Sequence, residues 1–168
     1  MMRPLKLWQR NVIGAVAAAA SLGVLVATDL APQWSDYRAS VDPAAEAAPR
    51  QSVELYGQTW SVDEIRHLGR QPQPPVGELP PGTVVTMVTL QRSGPPGPQG
   101  CFAALTDGHH RWRGQPVFLY NITPNPDAAT TCADPGPVQW AFVIPADVVP
   151  TAVDVTALDG SIQVRLQL

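Results

Sequence analysis

Eighteen consecutive residues without a charge, Asn11 to Thr28, constrain this chain more than any other segment. Arg3, Lys6 and Arg10 precede them, Asp29 closes them, and six of the eighteen are alanine. At 1.5 Å per residue a helix of that length reaches about 27 Å, enough to cross a hydrocarbon core roughly 30 Å thick. All fourteen acidic residues and both cysteines lie beyond the stretch. The pattern predicts a basic cytoplasmic tip (1–10), a transmembrane helix through the lipid bilayer (11–28), an extracytoplasmic stalk (29–51) and an exported domain (52–168). Basic residues on the N-terminal flank keep that end inside and send the remainder out. Trp8 on one side, with Trp34 and Tyr37 on the other, occupy the interfacial positions where aromatic rings are enriched.

A cleaved signal peptide has the same basic start and apolar run, so the distinction rests on the end of the run. Cleavage after Ala27 places Leu25, and cleavage after Ala31 places Asp29, where a small residue is required. Ala18 and Ala20 satisfy the rule but leave too short an apolar core. An uncleaved anchor is therefore expected. Within it Gly14 and Ala18, Ala17 and Ser21, and Ala19 and Gly23 form small-xxx-small pairs, which in lipid let a second helix approach closely. Alanine-rich spans also arise from GC-rich codon usage, which the single lysine against ten arginines suggests here, along with a bacterial origin.

Beyond the span, eight basic residues face fourteen acidic ones, a formal net of −6. A nucleic-acid partner needs a concentrated basic surface, so that class is excluded. From Ala39 to Gln51 the only large apolar residue is Val41, which reads as a solvated tether or frayed helix.

The exported domain alternates instead of repeating at helical period. Ile162, Val164, Leu166 and Leu168 are spaced by polar residues, and Val153 with Val155 precede them across an Asp159-Gly160 turn. Thr83 to Gln91, Val138 to Ile144, Cys101 to Leu105, Arg111 to Arg113, Ser52 to Tyr56 and Thr59 to His67 read as further strands, with Val117 to Tyr120 a last candidate. Nineteen prolines, many in turns such as Gln71 to Pro75 and Gly94 to Pro98, punctuate them. Seven or eight short strands without a helix after the anchor predict an all-β sandwich or small barrel.

Cys101 and Cys132 allow one intramolecular pairing, and an oxidising exterior would let it persist. Closing that loop stabilises a fold by about 3–4 kcal/mol in the chain-entropy model. Redox pairs lie two residues apart, so a structural bridge is expected.

No other constellation carries chemistry. His109 and His110 with His67 invite a metal reading, but neighbours on a strand point to opposite faces. Asp63-Glu64, or Asp107 with Asp134, are the available carboxylate pairs for glycan cleavage, with no spacing that brings them together. There is no nucleophile elbow, phosphate loop, zinc motif or calcium loop. Asn121-Ile122-Thr123 matches a glycosylation acceptor but is followed by Pro124. No catalytic, cofactor-binding or metal-binding residue is expected. Trp60 and Trp140 fall in phase with core positions. Trp112, between Arg111 and Arg113, is the least clearly buried: it either covers the open end of the sandwich or stacks on a partner.

Four short segments, Tyr56-Gly57-Gln58-Thr59-Trp60, Leu79-Pro80-Pro81-Gly82-Thr83, Cys101 through Gly108, and Val143-Ile144-Pro145-Ala146-Asp147, carry a resemblance. With the basic tip and apolar span, the chain resembles uncharacterised single-span membrane-anchored exported proteins of high-GC Gram-positive bacteria. The resemblance implies an immunoglobulin-like β-sandwich and offers no catalytic positions. The expected function is a membrane-anchored, extracytoplasmic, non-catalytic binding or accessory module with an envelope or membrane protein partner. Two other classes compete: a structural subunit docked through its transmembrane helix, and an envelope enzyme acting on cell-wall polymers.

Overall fold

Alternation of β-branched and polar residues, cut by Gly and Pro turns, folds into two five-stranded sheets packed face to face. The computed structural model describes residues 6–74, 77–96, 100–129, 132 and 134–168. Arg3, Pro75 and the 97–98 end of the second proline turn lie outside them. The protein divides into two compact units, one ending at Arg38 and the other spanning Ala39–Leu168.

The N-terminal unit is helical. Helix α1 (Leu7–Leu25) passes through a wide π-type turn (Val26–Leu30) into α2 (Ala31–Val41), a 35-residue run with mean hydropathy 1.9 in its most apolar window. This is long and apolar enough to cross a membrane, a property shared by anchors and signal sequences. The wide turn has a local cause. Pro32 lacks an amide hydrogen and its ring would strike the carbonyl four residues back. The chain loosens there instead: the Ala31 amide bonds to the Val26 carbonyl, and Pro32 falls in the first turn of α2. The Thr28 hydroxyl donates to the Val24 carbonyl at 2.9 Å.

In the second unit one sheet runs β1 (Ala45–Ala47), β10 (Ile162–Gln167), β9 (Ala152–Ala157), β5 (Cys101–Thr106), β6 (Arg111–Arg113). The other runs β2 (Ser52–Leu55), β3 (Gln58–Gly69), β4 (Thr83–Ser93), β8 (Gly136–Pro145), β7 (Gln115–Pro116). All pairings within the sheets are antiparallel except β1 with β10. The inner faces meet through Trp60, Val88, Leu90, Leu105, Trp140, Phe142, Ile144, Val153, Val164 and Leu166. Each large apolar side chain so buried contributes roughly 1.5–3 kcal/mol of transfer free energy. A smaller cluster, Leu79, Val85, Met87, Val117 and Ala141, covers the outer face of β4 and β8, so these strands are apolar on both sides.

The sandwich expected from alternation is present, with ten strands among the described residues in place of seven or eight. The additional ones, β1 and β7, are two or three residues long and leave no periodic signal. Val117–Tyr120 is a 3₁₀ turn rather than a strand: Val117 and, three residues on, half-buried Tyr120 pack on the smaller cluster while Phe118 stays exposed. The segment read as a stalk is helical to Val41, and its Ala45–Ala47 pairs with Val164–Leu166, burying Ala47.

Candidate functional site

The two ends of the sandwich are finished differently, and the candidate site follows from that difference. At one end Arg92 continues the inward phase of Val88 and Leu90 and is fully buried. One arm of its guanidinium donates to the Cys132 carbonyl and the other to the Pro95 carbonyl, the latter at 2.8 Å. Its guanidinium carbon lies 6.0 Å from the centre of the Trp60 ring on β3, the residue paired with it across the sheet. Burial lowers the proton affinity of Arg92, and Asp134 opposes that shift. The Cys101–Cys132 disulfide, with Cα atoms 5.8 Å apart, ties the first residue of β5 to the loop that supplies one of the two carbonyls.

At the other end β3, β8 and β10 finish and β4 and β9 begin. The loops do not close over it. A hollow of about 450 Å³ remains, lined by Ile65, Val84, Ile144, Val148, Pro150 and Leu168 among others. His67 is its one titratable side chain, and its Nδ1 sits 3.1 Å from Thr86 Oγ1. Two β-bulges in β3 produce this lining. Asp63 and Leu68 are extra residues opposite β4, so the inward phase passes from Trp60 and Val62 to Ile65 and His67. Leu68 turns to the outer cluster.

A second, polar hollow of about 300 Å³ lies against the other sheet, lined by Ser40, Thr106, His109, Arg111, Thr151 and Arg165 among others. Beside it the fully buried Asp154 carboxylate accepts from Arg165 at 2.7 and 2.9 Å and from Arg111 at 2.9 Å. Arg111 also donates to the Ser40 carbonyl at 3.2 Å. The bonds that Arg165 donates to Asp154 hold its pKa above the ordinary value. A buried carboxylate needs such partners, so both arginines are committed to it.

The residues singled out by sequence divide accordingly. Cys101 and Cys132 form the bridge. Trp60 and Trp140 are buried in the core. Trp112 packs half-buried against the core from the edge strand β6, its ring 5.9 Å from that of His110. Arg111 and Arg113 flank it on the opposite face, where Arg113 stacks 4.1 Å over the Phe102 ring. The three therefore do not form one exposed patch. Asp107 accepts from the His109 and His110 amides at 2.8 and 2.6 Å and lies 3.1 Å from the His110 ring. These bonds hold its carboxyl well below the ordinary range. His67 belongs to the other sheet. Among the described residues no three His, Cys, Asp or Glu side chains gather as a metal ion requires. Asp134 follows the bridge at one end of β5 and Asp107 follows the opposite end, so that pair is not brought together. Asp63 and Glu64 are exposed on β3. A Cβ at Gly14 would meet nothing within 4 Å beyond its own helix, and Ala17, Ala18 and Ser21 are exposed on α1.

Sequence reasoning missed Arg92, Asp154 and Arg165. Arg92 falls in phase with Val88 and Leu90, but β4 is apolar on both faces, so alternation does not mark which of them faces inward. Asp154 and Arg165 occupy the polar positions of alternating strands and carry no mark separating them from solvent-facing residues.

No protein-family model matches the chain, and no curated protein matches its sequence. Among solved structures the chain is similar to an uncharacterised β-sandwich protein from Clostridium difficile 630, solved at 1.90 Å. That match has 10% identity and a TM-score of 0.38, and covers 74% of this chain and 93% of the other.

Proposed function

We propose that this protein is a membrane-anchored, extracytoplasmic, non-catalytic binding module whose partner is another envelope or membrane protein. The observation that carries the reading is the asymmetry of the sandwich. One end is tied down by a disulfide and a buried arginine, while the other keeps an apolar hollow of about 450 Å³. Apolar concavities with a few polar groups are the usual places for recognition. The apolar helix at the N-terminus supports an anchor, and the bridge supports an oxidising compartment. The immunoglobulin-like subclass belongs to the same proposal. Facing sheets, buried Trp60 and Trp140 and the bridge support it, although β1 and β7 exceed the minimal strand set.

A second reading is a subunit docked through its helix, favoured by the small residues Gly14, Ala17, Ala18 and Ser21 exposed on α1. One experiment separates them. The full chain is purified from membranes in mild detergent, as wild type and as Gly14→Leu/Ala18→Leu. A stoichiometric partner retained by both forms supports the binding module, and loss from the leucine form alone supports helix docking. Isolation of both as clean monomers overturns both readings.

A further inference from the structure

The edge of β3 is only partly used. β2 pairs with Gln58–Ser61 and stops, although β3 continues to Gly69. The chain N-terminal to β2 leaves the sheet at once. Arg50 has φ +63° and the Gln51 amide bonds back to the Ala48 carbonyl, which carries the chain across to β1 in the other sheet. Along residues 62–69, β4 pairs with one side of β3, and no strand among the described residues pairs with the other. At about 3.3 Å per residue that is an open edge of roughly 26 Å, continuous with the line β2 already occupies. Asp63, Glu64, Arg66 and His67 on it are exposed.

The same residues border the apolar hollow: Ile65, His67 and Gly69 form one of its walls, and Val149, 79% exposed, stands with Val148 and Pro150 on another. An unpaired backbone ladder and an adjoining apolar recess are together what recognition by strand addition requires. Main-chain bonds supply affinity, and a pocket reads alternate side chains. Charge narrows the occupant. Asp63 and Glu64 outnumber Arg66, which lies 3.8 Å from Glu64. Two bulges and charged side chains also discourage pairing with a second copy of the same edge.

Resting on the binding-module reading, we infer that the partner presents an extended segment which adds to the β3 edge along Val62–Gly69. An apolar side chain of that segment enters the Ile65–Val84–Ile144 hollow, and a basic residue faces Asp63 and Glu64.

The test uses the full chain in detergent and a displayed library of random linear heptapeptides as the probe. Selected peptides should alternate apolar and polar residues, include Lys or Arg, and protect amides of Val62–Gly69 from hydrogen exchange. Methylating alternate backbone nitrogens of a selected peptide should weaken binding at least tenfold without touching the protein. Val149→Lys, at an exposed position, and Glu64→Lys should each weaken it several-fold with the melting temperature unchanged. The inference is overturned if no peptide is selected, if backbone methylation leaves affinity unchanged, or if every amide in Val62–Gly69 is already protected in the free chain. It is equally overturned if the chain self-associates through this edge. Retention of the membrane partner by variants that lose the peptides would remove the edge assignment and leave the binding module standing.

Discussion

Arg92 is the residue on which the bridged end of the sandwich turns. A guanidinium buried this completely has no water to replace a missing acceptor, so the carbonyls of Cys132 and Pro95 are essential to it. Its planar fork reaches both at once, which an ammonium group cannot do. Arg92→Lys should therefore cost about 2–3 kcal/mol, read as a lower urea midpoint by tryptophan fluorescence of the full chain. Arg92→Met, which leaves no charge in the interior, should cost less than the lysine variant. The reverse order would show that the charge is solvated. Asp154 illustrates the complementary case. Its two arginines, from β6 and β10, answer a carboxylate that the middle strand of its sheet keeps out of water. Asp154 and Arg165 read as surface residues in the linear pattern, because alternation reports which face a side chain takes and not what covers that face.

At the scale of elements, β3 shows where alternation stops being a guide. A period-2 reading of Thr59 to His67 cannot register the extra residue at Asp63, yet that residue moves Ile65 and His67 to the inner face. The bulges answer the partner strand β4, which lies sixteen or more residues further along the chain. The β4–β5 connection makes a sharper demand. Gly94 has φ +103°, and a Cβ there would lie against the Gly57 carbonyl oxygen. Gly160, with φ +87° in the β9–β10 turn, has open space around it. Gly160→Ala should therefore cost only the backbone strain of roughly 1–2 kcal/mol. Gly94→Ala should cost about 2 kcal/mol more, because backbone must move as well. Equal costs by chemical denaturation would show that the Gly57 turn yields freely.

For the whole molecule the bridge is a covalent constraint in addition to the apolar packing of the two sheets. Cys101 and Cys132, with 31 residues of sequence separation, close a loop that holds β5, β6 and β7. Mutating both to serine should lower stability by about 3–4 kcal/mol from loop closure alone. Thiol titration of the native protein should find no free cysteine, whereas two reactive thiols would remove the bridge from the working molecule. By itself the sequence determined the apolar helix, the β-rich body behind it, the pairing of the only two cysteines and the inward phase of β8, β9 and β10. Each of these is a local or compositional property: hydrophobic length, period of two, turn chemistry, a count of two. Only the tertiary structure decided the parallel pairing of Ala45–Ala47, the bulges of β3, the burial of Asp154 and the unclosed end of the sandwich. These depend on which strands become neighbours, and that is settled by packing between segments far apart in the chain.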